Sequence, residues 1–199
     1  MTSTTSQAPP DPSQRRRRKT WLTVAGVVLG AAVLAFVFSS GFGVDPRLVN
    51  SPLVGEPLPH LTLPYLERDG DLDTDELQGE VLVLNFWASW CFPCRLEHEA
   101  LTTASAVYED RGVHFVGILH QDDEASAVAF LDEFGRGANY SYVMDPDSRA
   151  AVNLGLFGVP ETYFVDSSGI IRARIQGEVT PASLVDTIED ILAGRDPLE

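Results

Sequence analysis

A run of seven residues, Val81-Leu82-Val83-Leu84-Asn85-Phe86-Trp87, leads within three positions to Trp90-Cys91-Phe92-Pro93-Cys94, which contains the only two cysteines among 199 residues. The run reads as a buried strand, because it is short and apolar almost throughout. Pro93 suits the first turn of a helix, where its missing N–H is no loss. The pair of cysteines therefore falls at a strand-to-helix turn. Two thiols separated by two residues can close a disulfide within one helical turn there. The helix N-terminus also aims N–H groups at the first sulfur, which favours its thiolate. A disulfide framework would spread four or more cysteines along the chain, and a structural zinc site would need four ligands. A single close pair points instead to a disulfide that opens and closes, exchanging two electrons with another thiol pair.

The elements around this turn alternate. A short apolar stretch at 61–66 precedes the strand at 81–87, and a helix at 93–110 follows with Leu96, Ala100, Leu101 and Ala104 at helical spacing. A second buried strand is predicted at 113–119 and a helix at 124–134, then a short strand at 140–144 and a short helix at 148–154. Strands at 161–165 and 170–175 flank Asp166-Ser167-Ser168-Gly169, a hairpin signal. A closing amphipathic helix at 180–193 begins at Thr180-Pro181 and ends at Gly194. This order is a thioredoxin-like α/β layout: a central mixed sheet flanked by helices, with an insertion between the βαβ half and the C-terminal ββα half.

Charge divides the chain. Arg15-Arg16-Arg17-Arg18-Lys19 supplies five of the 14 basic residues, and the net charge is −15. From Phe42 onward nine basic residues face 28 acidic ones, a surface that disfavours nucleic acid and favours basic protein partners. It is equally the composition of an ordinary solvated acidic surface. After the basic cluster, residues 21–38 (WLTVAGVVLGAAVLAFVF) carry no charge. At ~1.5 Å per residue that run nearly spans a hydrocarbon core of ~30 Å. The expected organisation is a disordered basic cytoplasmic tail at 1–20, a transmembrane signal-anchor helix at 21–40, a linker at 41–53 and the thioredoxin-like domain at 54–199. The arginines would stay in the cytoplasm and the domain would face outward, as a single-pass protein of a bacterial cell membrane. A cleaved signal peptide is the competing reading.

Over residues 54–194 the chain resembles the thioredoxin superfamily. It is most similar to the membrane-anchored reductases of cytochrome c maturation, the CcmG/DsbE type, and their TlpA/ResA relatives. The residues that carry this are VGEPLPHLTLP (54–64), NFWASWCFPCRLEHEAL (85–101) and LGLFGVPETYFVDSSGIIRARIQG (154–177). The WCxxC element alone specifies only the superfamily, whereas GVPETYFVD with IIRARIQG points to the cytochrome c maturation branch.

Residue by residue, Cys91 is expected to be the exposed attacking thiol and Cys94 the resolving one, with Phe92-Pro93 tuning the thiolate and Trp90 flanking the dithiol. Arg95 adds a nearby positive charge or is simply solvated. The resemblance implies a cis-proline at Pro160 beside the cysteines, with Val159 offering backbone to a bound peptide. It also implies acids near the thiols at Glu161 and Glu97, each a candidate proton acceptor. The plainer alternatives are a solvent-facing strand residue for Glu161 and a solvated helix residue for Glu97. Where thioredoxin has a buried aspartate before its Phe-Trp, this chain has Asn85, which cannot accept that proton. His98 follows Cys94 at a spacing two metal ligands could share, but no further ligand stands near, so no metal is expected, and no cofactor.

The function these residues imply is a dithiol reductase acting on a disulfide-containing client outside the cytoplasm. By resemblance the client is the CxxCH pair of apocytochrome c or a maturation partner, and a membrane electron donor of the DsbD or CcdA type recharges the protein. Alternatives are a TlpA/ResA-like reductase of another exported client, or a disulfide oxidase. A peroxiredoxin fits less well, since Ala88 stands where those enzymes carry a hydroxyl residue. A copper-delivery module would use CxxxC.

Overall fold

The computed structural model describes residues 21–22, 24–35 and 51–198. The chain divides into two units, Met1–Val44 and Asp45–Glu199. In the first, residues 21–22 and 24–35 are helical (α1) and exposed. No helix among the described residues is long and apolar enough to cross a membrane. The tail expected at 1–20, the rest of the expected span at 23 and 36–40, and residues 41–50 of the linker expected at 41–53 lie outside the described residues.

The second unit is built on a five-stranded sheet ordered β5-β4-β3-β6-β7, from β3 (Val81–Trp87), β4 (Val113–Leu119), β5 (Tyr140–Met144), β6 (Glu161–Val165) and β7 (Ile171–Gln176). β3 and β4 run parallel in register from Val81↔Val113 to Trp87↔Leu119, and β4 and β5 are parallel too. β6 lies antiparallel to β3 on its other side, and β7 antiparallel to β6. Every residue of β3 is buried, as expected of a central strand covered on both faces. Alternation sorts them. Leu82, Leu84 and Phe86 join Val116, Ile118, Tyr163 and Leu154 in one core cluster. Val81 and Val83 join Leu101 and Ala104 of α2 (Phe92–Val107) and Leu184 and Ile188 of α5 (Pro181–Leu192) in another. Burying each such side chain contributes about 1.5–3 kcal/mol.

Local signals set the boundaries. α2 starts at Cys91 as N-cap with Pro93 in its first turn. α3 (Glu124–Phe134) is capped by the Asp123 carboxylate, which accepts from the Ser126 N–H at 2.9 Å. α4 is the short Arg149–Asn153 helix. Thr180 and Ser183 cap α5 reciprocally. In the β6–β7 turn Asp166 Oδ1 accepts from the N–H groups of Ser168 and Ile170, the device that made this segment legible as a hairpin. Gly117, in mid-β4, is needed because a Cβ there would lie 3.0–3.1 Å from the rings of Tyr142, Trp87 and Tyr140.

Two features depart from the sequence reading. The stretch at 61–66 belongs to a two-stranded hairpin, β1 (Thr62–Pro64) with β2 (Asp71–Asp73), followed by a 3-10 turn at Thr74–Leu77. Residues just ahead of the expected domain boundary at 54 are packed as well: Ser51 is buried, and Leu53 packs against the first core cluster.

Candidate active site

Cys91 and Cys94 form a closed disulfide with Cα atoms 5.3 Å apart. Cys91 keeps extended backbone as the N-cap of α2, and its sulfur accepts the Cys94 N–H at 3.2 Å. The Cys94 N–H at the helix start thus faces this sulfur, and the first turn contains no acidic residue to oppose a thiolate. The expectation that Cys91 is exposed is corrected: it retains 4% of its accessible surface and Cys94 retains 3%. Both sit in a third apolar cluster with Leu66, Trp87, Ala88, Leu119, Phe130 and Tyr142. That cover comes from segments remote in sequence, which the helix-start argument did not include.

The turn ahead of the cysteines is held by the loop after β4. The Ser89 N–H donates to the Asp122 carboxylate at 2.6 Å, and Trp90 Nε1 donates to the Gln121 carbonyl at 3.1 Å. Gln121 has left-handed backbone (φ 50°), the kind of outlier that concentrates near functional loops. Sequence reading placed Gln121 and Asp122 only at the start of a loop, 121–140, that could help choose partners, and singled out neither for the cysteine turn; the signal was only their place at the end of a strand parallel to β3. Trp90 and Phe92 flank the disulfide and stay 62% and 65% exposed, while Phe86 and Trp87 are core residues. Pro93 and Arg95 are exposed, the latter with its guanidinium over the Phe134 ring at 4.9 Å.

The Val159–Pro160 peptide is cis. Val159 packs against the cluster that holds both cysteines, and Pro160 is buried. The cis-proline loop thus reaches the cysteine cluster through Val159.

The two acids differ from the plainer, solvent-facing readings given to them. Glu97, three residues along α2 from Cys94, is 2% exposed. Its carboxylate accepts from Asn85 Nδ2 and from the Val179 N–H, each at 2.7 Å. Asn85 lies on the same face of β3 as Val83 and also donates to Thr162 Oγ1 at 3.0 Å. Glu161 is 1% exposed and ion-paired with Arg174 at 2.6 Å. It also accepts from the Tyr163 hydroxyl and, at 3.3 Å, from the Phe157 N–H. Burial first, and the Glu161 hydrogen bond second, push the Tyr163 hydroxyl well above its ordinary range, so it stays a donor. Neither acid is a solvated surface residue.

His98 is buried, donates to the Gly135 carbonyl at 2.8 Å and meets Phe130 edge-on. Burial holds its pKa below 6.5 despite that carbonyl. It is a buried residue of α2. A group of three ligand-type side chains among the described residues, His60 with Asp73 and Asp75, lies at the β1–β2 hairpin, where His60 Nε2 and Asp73 Oδ1 are hydrogen-bonded at 2.8 Å.

Residues 53–192 match the redoxin family model. The thiol:disulfide interchange protein DsbE of Allochromatium vinosum is 37% identical over 169 residues, 84% of this chain and 90% of that one. The Escherichia coli K12 DsbE is 36% identical over 157 residues, 78% and 82% of the two chains. Among solved structures, a thioredoxin-family thiol:disulfide interchange protein from Chlorobium tepidum overlays with a TM-score of 0.62 at 23% identity, covering 72% of this chain and 99% of that one. A secreted Mycobacterium tuberculosis disulfide oxidoreductase homologous to E. coli DsbE gives 0.57 at 23%, covering 67% and 95%. These overlays establish the thioredoxin-like fold. With a closed disulfide at the start of a helix and this degree of likeness along most of its length, the chain belongs to the DsbE type of thiol:disulfide interchange protein within the redoxin family, and is a protein-disulfide oxidoreductase.

Proposed function

We propose that the protein is a membrane-anchored, extracytoplasmic dithiol reductase whose client is the CxxCH disulfide of apocytochrome c or of a maturation partner that holds it. The observation that carries this is the Cys91–Cys94 pair, closed at the N-terminus of α2, with Val159 of the cis-Pro160 loop packed on the same cluster, in a chain of DsbE type. In the reduced protein the Cys91 thiolate attacks one sulfur of the client disulfide, forming a mixed disulfide and releasing a client thiolate. Cys94 then attacks Cys91 Sγ. The client leaves with two thiols, and the protein keeps the Cys91–Cys94 disulfide. Two electrons and two protons pass to the client. Glu97 is the proposed acceptor of the Cys94 proton: helical side chains lean toward the N-terminus, so a residue three positions after Cys94 leans over it. Glu161 is occupied by Arg174 and is not assigned this role.

Recharging requires a dithiol donor, for which a membrane conduit of the DsbD or CcdA type is proposed. The uncharged run at 21–38 behind Arg15–Lys19 supports an anchor with the domain outside. The test is a Cys94→Ser variant of the full chain, reduced and mixed with a synthetic CxxCH peptide disulfide. A stable adduct through Cys91, seen by intact mass and reversed by dithiothreitol, is expected. An adduct with small disulfides and none with this peptide would remove the client assignment. Recovery of the native chain in a soluble rather than a membrane fraction would remove the anchor.

A further inference from the structure

The segment IIRARIQG contains a buried cation that the thiol chemistry does not use. Arg174 projects from β7 with only 9% of its side chain exposed. Its Nε donates to Glu161 at 2.7 Å, one terminal nitrogen donates to the Gly155 carbonyl at 2.9 Å, and the other donates to Ser51 Oγ at 3.2 Å. Glu161 in turn holds the Phe157 N–H. The guanidinium thus ties down two backbone points of the loop before cis-Pro160, and joins that loop to the buried Ser51 at the other end of the domain sequence. Between those points and the proline, Val159 packs on the disulfide cluster. Phe157 projects outward, 90% exposed, in the same loop. A buried ion pair is often no more stabilising than apolar residues of its size; what this one supplies is a fixed loop conformation.

We propose that Arg174 is a positioning residue for client binding: through Glu161 and the Gly155 carbonyl it fixes residues 155–159 so that Phe157 meets the apolar chain flanking the client disulfide. This rests on the reductase reading above and adds to it the residue that presents the client-facing loop.

The full chain is assayed with a synthetic CxxCH peptide disulfide as oxidant. Arg174→Met is expected to raise KM about tenfold, the size of one lost hydrogen bond to a charged group, with kcat within about twofold. The pH profile of Cys91 alkylation in the reduced protein stays that of wild type, and Arg174→Lys recovers part of the loss. Phe157→Ala raises KM as well, and the Phe157→Ala/Arg174→Met pair raises it no further than the larger single change. An unchanged KM in folded Arg174→Met, or a kcat and alkylation profile that shift with it, overturns the proposal. If Arg174→Met does not fold, Glu161→Gln/Arg174→Met removes both charges and takes its place. Amide exchange at Phe157, expected about tenfold faster in whichever variant folds, reads the loop without any client, and an unchanged rate overturns the proposal. If the wild type reduces insulin but not the peptide, the client reading fails, and the same KM comparison on insulin decides the positioning role.

Discussion

Glu97→Ala should be one of the most damaging single changes to the oxidised protein. The carboxylate accepts two hydrogen bonds of 2.7 Å, from Asn85 Nδ2 and the Val179 N–H, at a site 2% exposed. Removing it leaves two buried donors without that acceptor, at about 1–3 kcal/mol each. Asn85 keeps Thr162 for its other hydrogen, so the lower half of the range applies there, and the sum is about 2–5 kcal/mol. Glu97→Gln retains one carbonyl oxygen but turns an amide N–H₂ toward the other donor, so about half that loss is expected. The assay is urea unfolding of the oxidised full chain followed by tryptophan fluorescence, with an Asn85→Ala/Glu97→Ala cycle to isolate the pair. A Glu97→Ala variant within about 0.5 kcal/mol of wild type, or a Gln variant as unstable as the Ala variant, would refute the reasoning. Under the proton-acceptor role, Glu97→Gln should also prolong the mixed disulfide at neutral pH, measured as a longer-lived mixed-disulfide mass.

Gly137→Ala should destabilise by about 1–3 kcal/mol, because a Cβ there would fall 2.3 Å from Ser105 Oγ and 3.0 Å from Tyr140 Cβ; an unchanged urea midpoint would contradict it. Asp122→Ala frees the Ser89 N–H and should speed amide exchange at Ser89 without unfolding the sheet, which exchange mapped by mass spectrometry can check. Burial holds the pKa values of His98, His114 and His120 below 6.5. The unfolded chain therefore takes up these protons first, and their effect is absent well above pH 6.5 and grows as pH falls through it. His98→Gln should accordingly flatten the fall in the urea midpoint between pH 6.5 and 5; a slope identical to wild type would show that His98 does not titrate with folding.

How much was legible depends on how local each cause is. The β3–turn–α2 unit was readable because its signals (apolar run, Cys-x-Pro-Cys, helical spacing of Leu101 and Ala104) lie within one short stretch. The β6–β7 turn and the α5 cap were readable for the same reason. The β1–β2 hairpin was not, since three-residue strands with the sequence Asp71-Leu72-Asp73 lack an apolar run. The acids were located but not understood. Glu97 takes its partners from Asn85 and Val179, and Glu161 from Arg174 on the neighbouring strand, contacts that only the sheet order creates. Cys91 was expected to be exposed because the helix start was considered without the cluster that Leu66, Phe130 and Val159 build over it.

The claim that this dithiol serves as a reductant is tested most directly by its equilibrium reduction potential. The full chain is equilibrated with glutathione or dithiothreitol and the Cys91–Cys94 state is read by alkylation and mass. A value near ~−270 mV or lower is expected of a reductase; a value near ~−120 mV would contradict it and mark a disulfide donor.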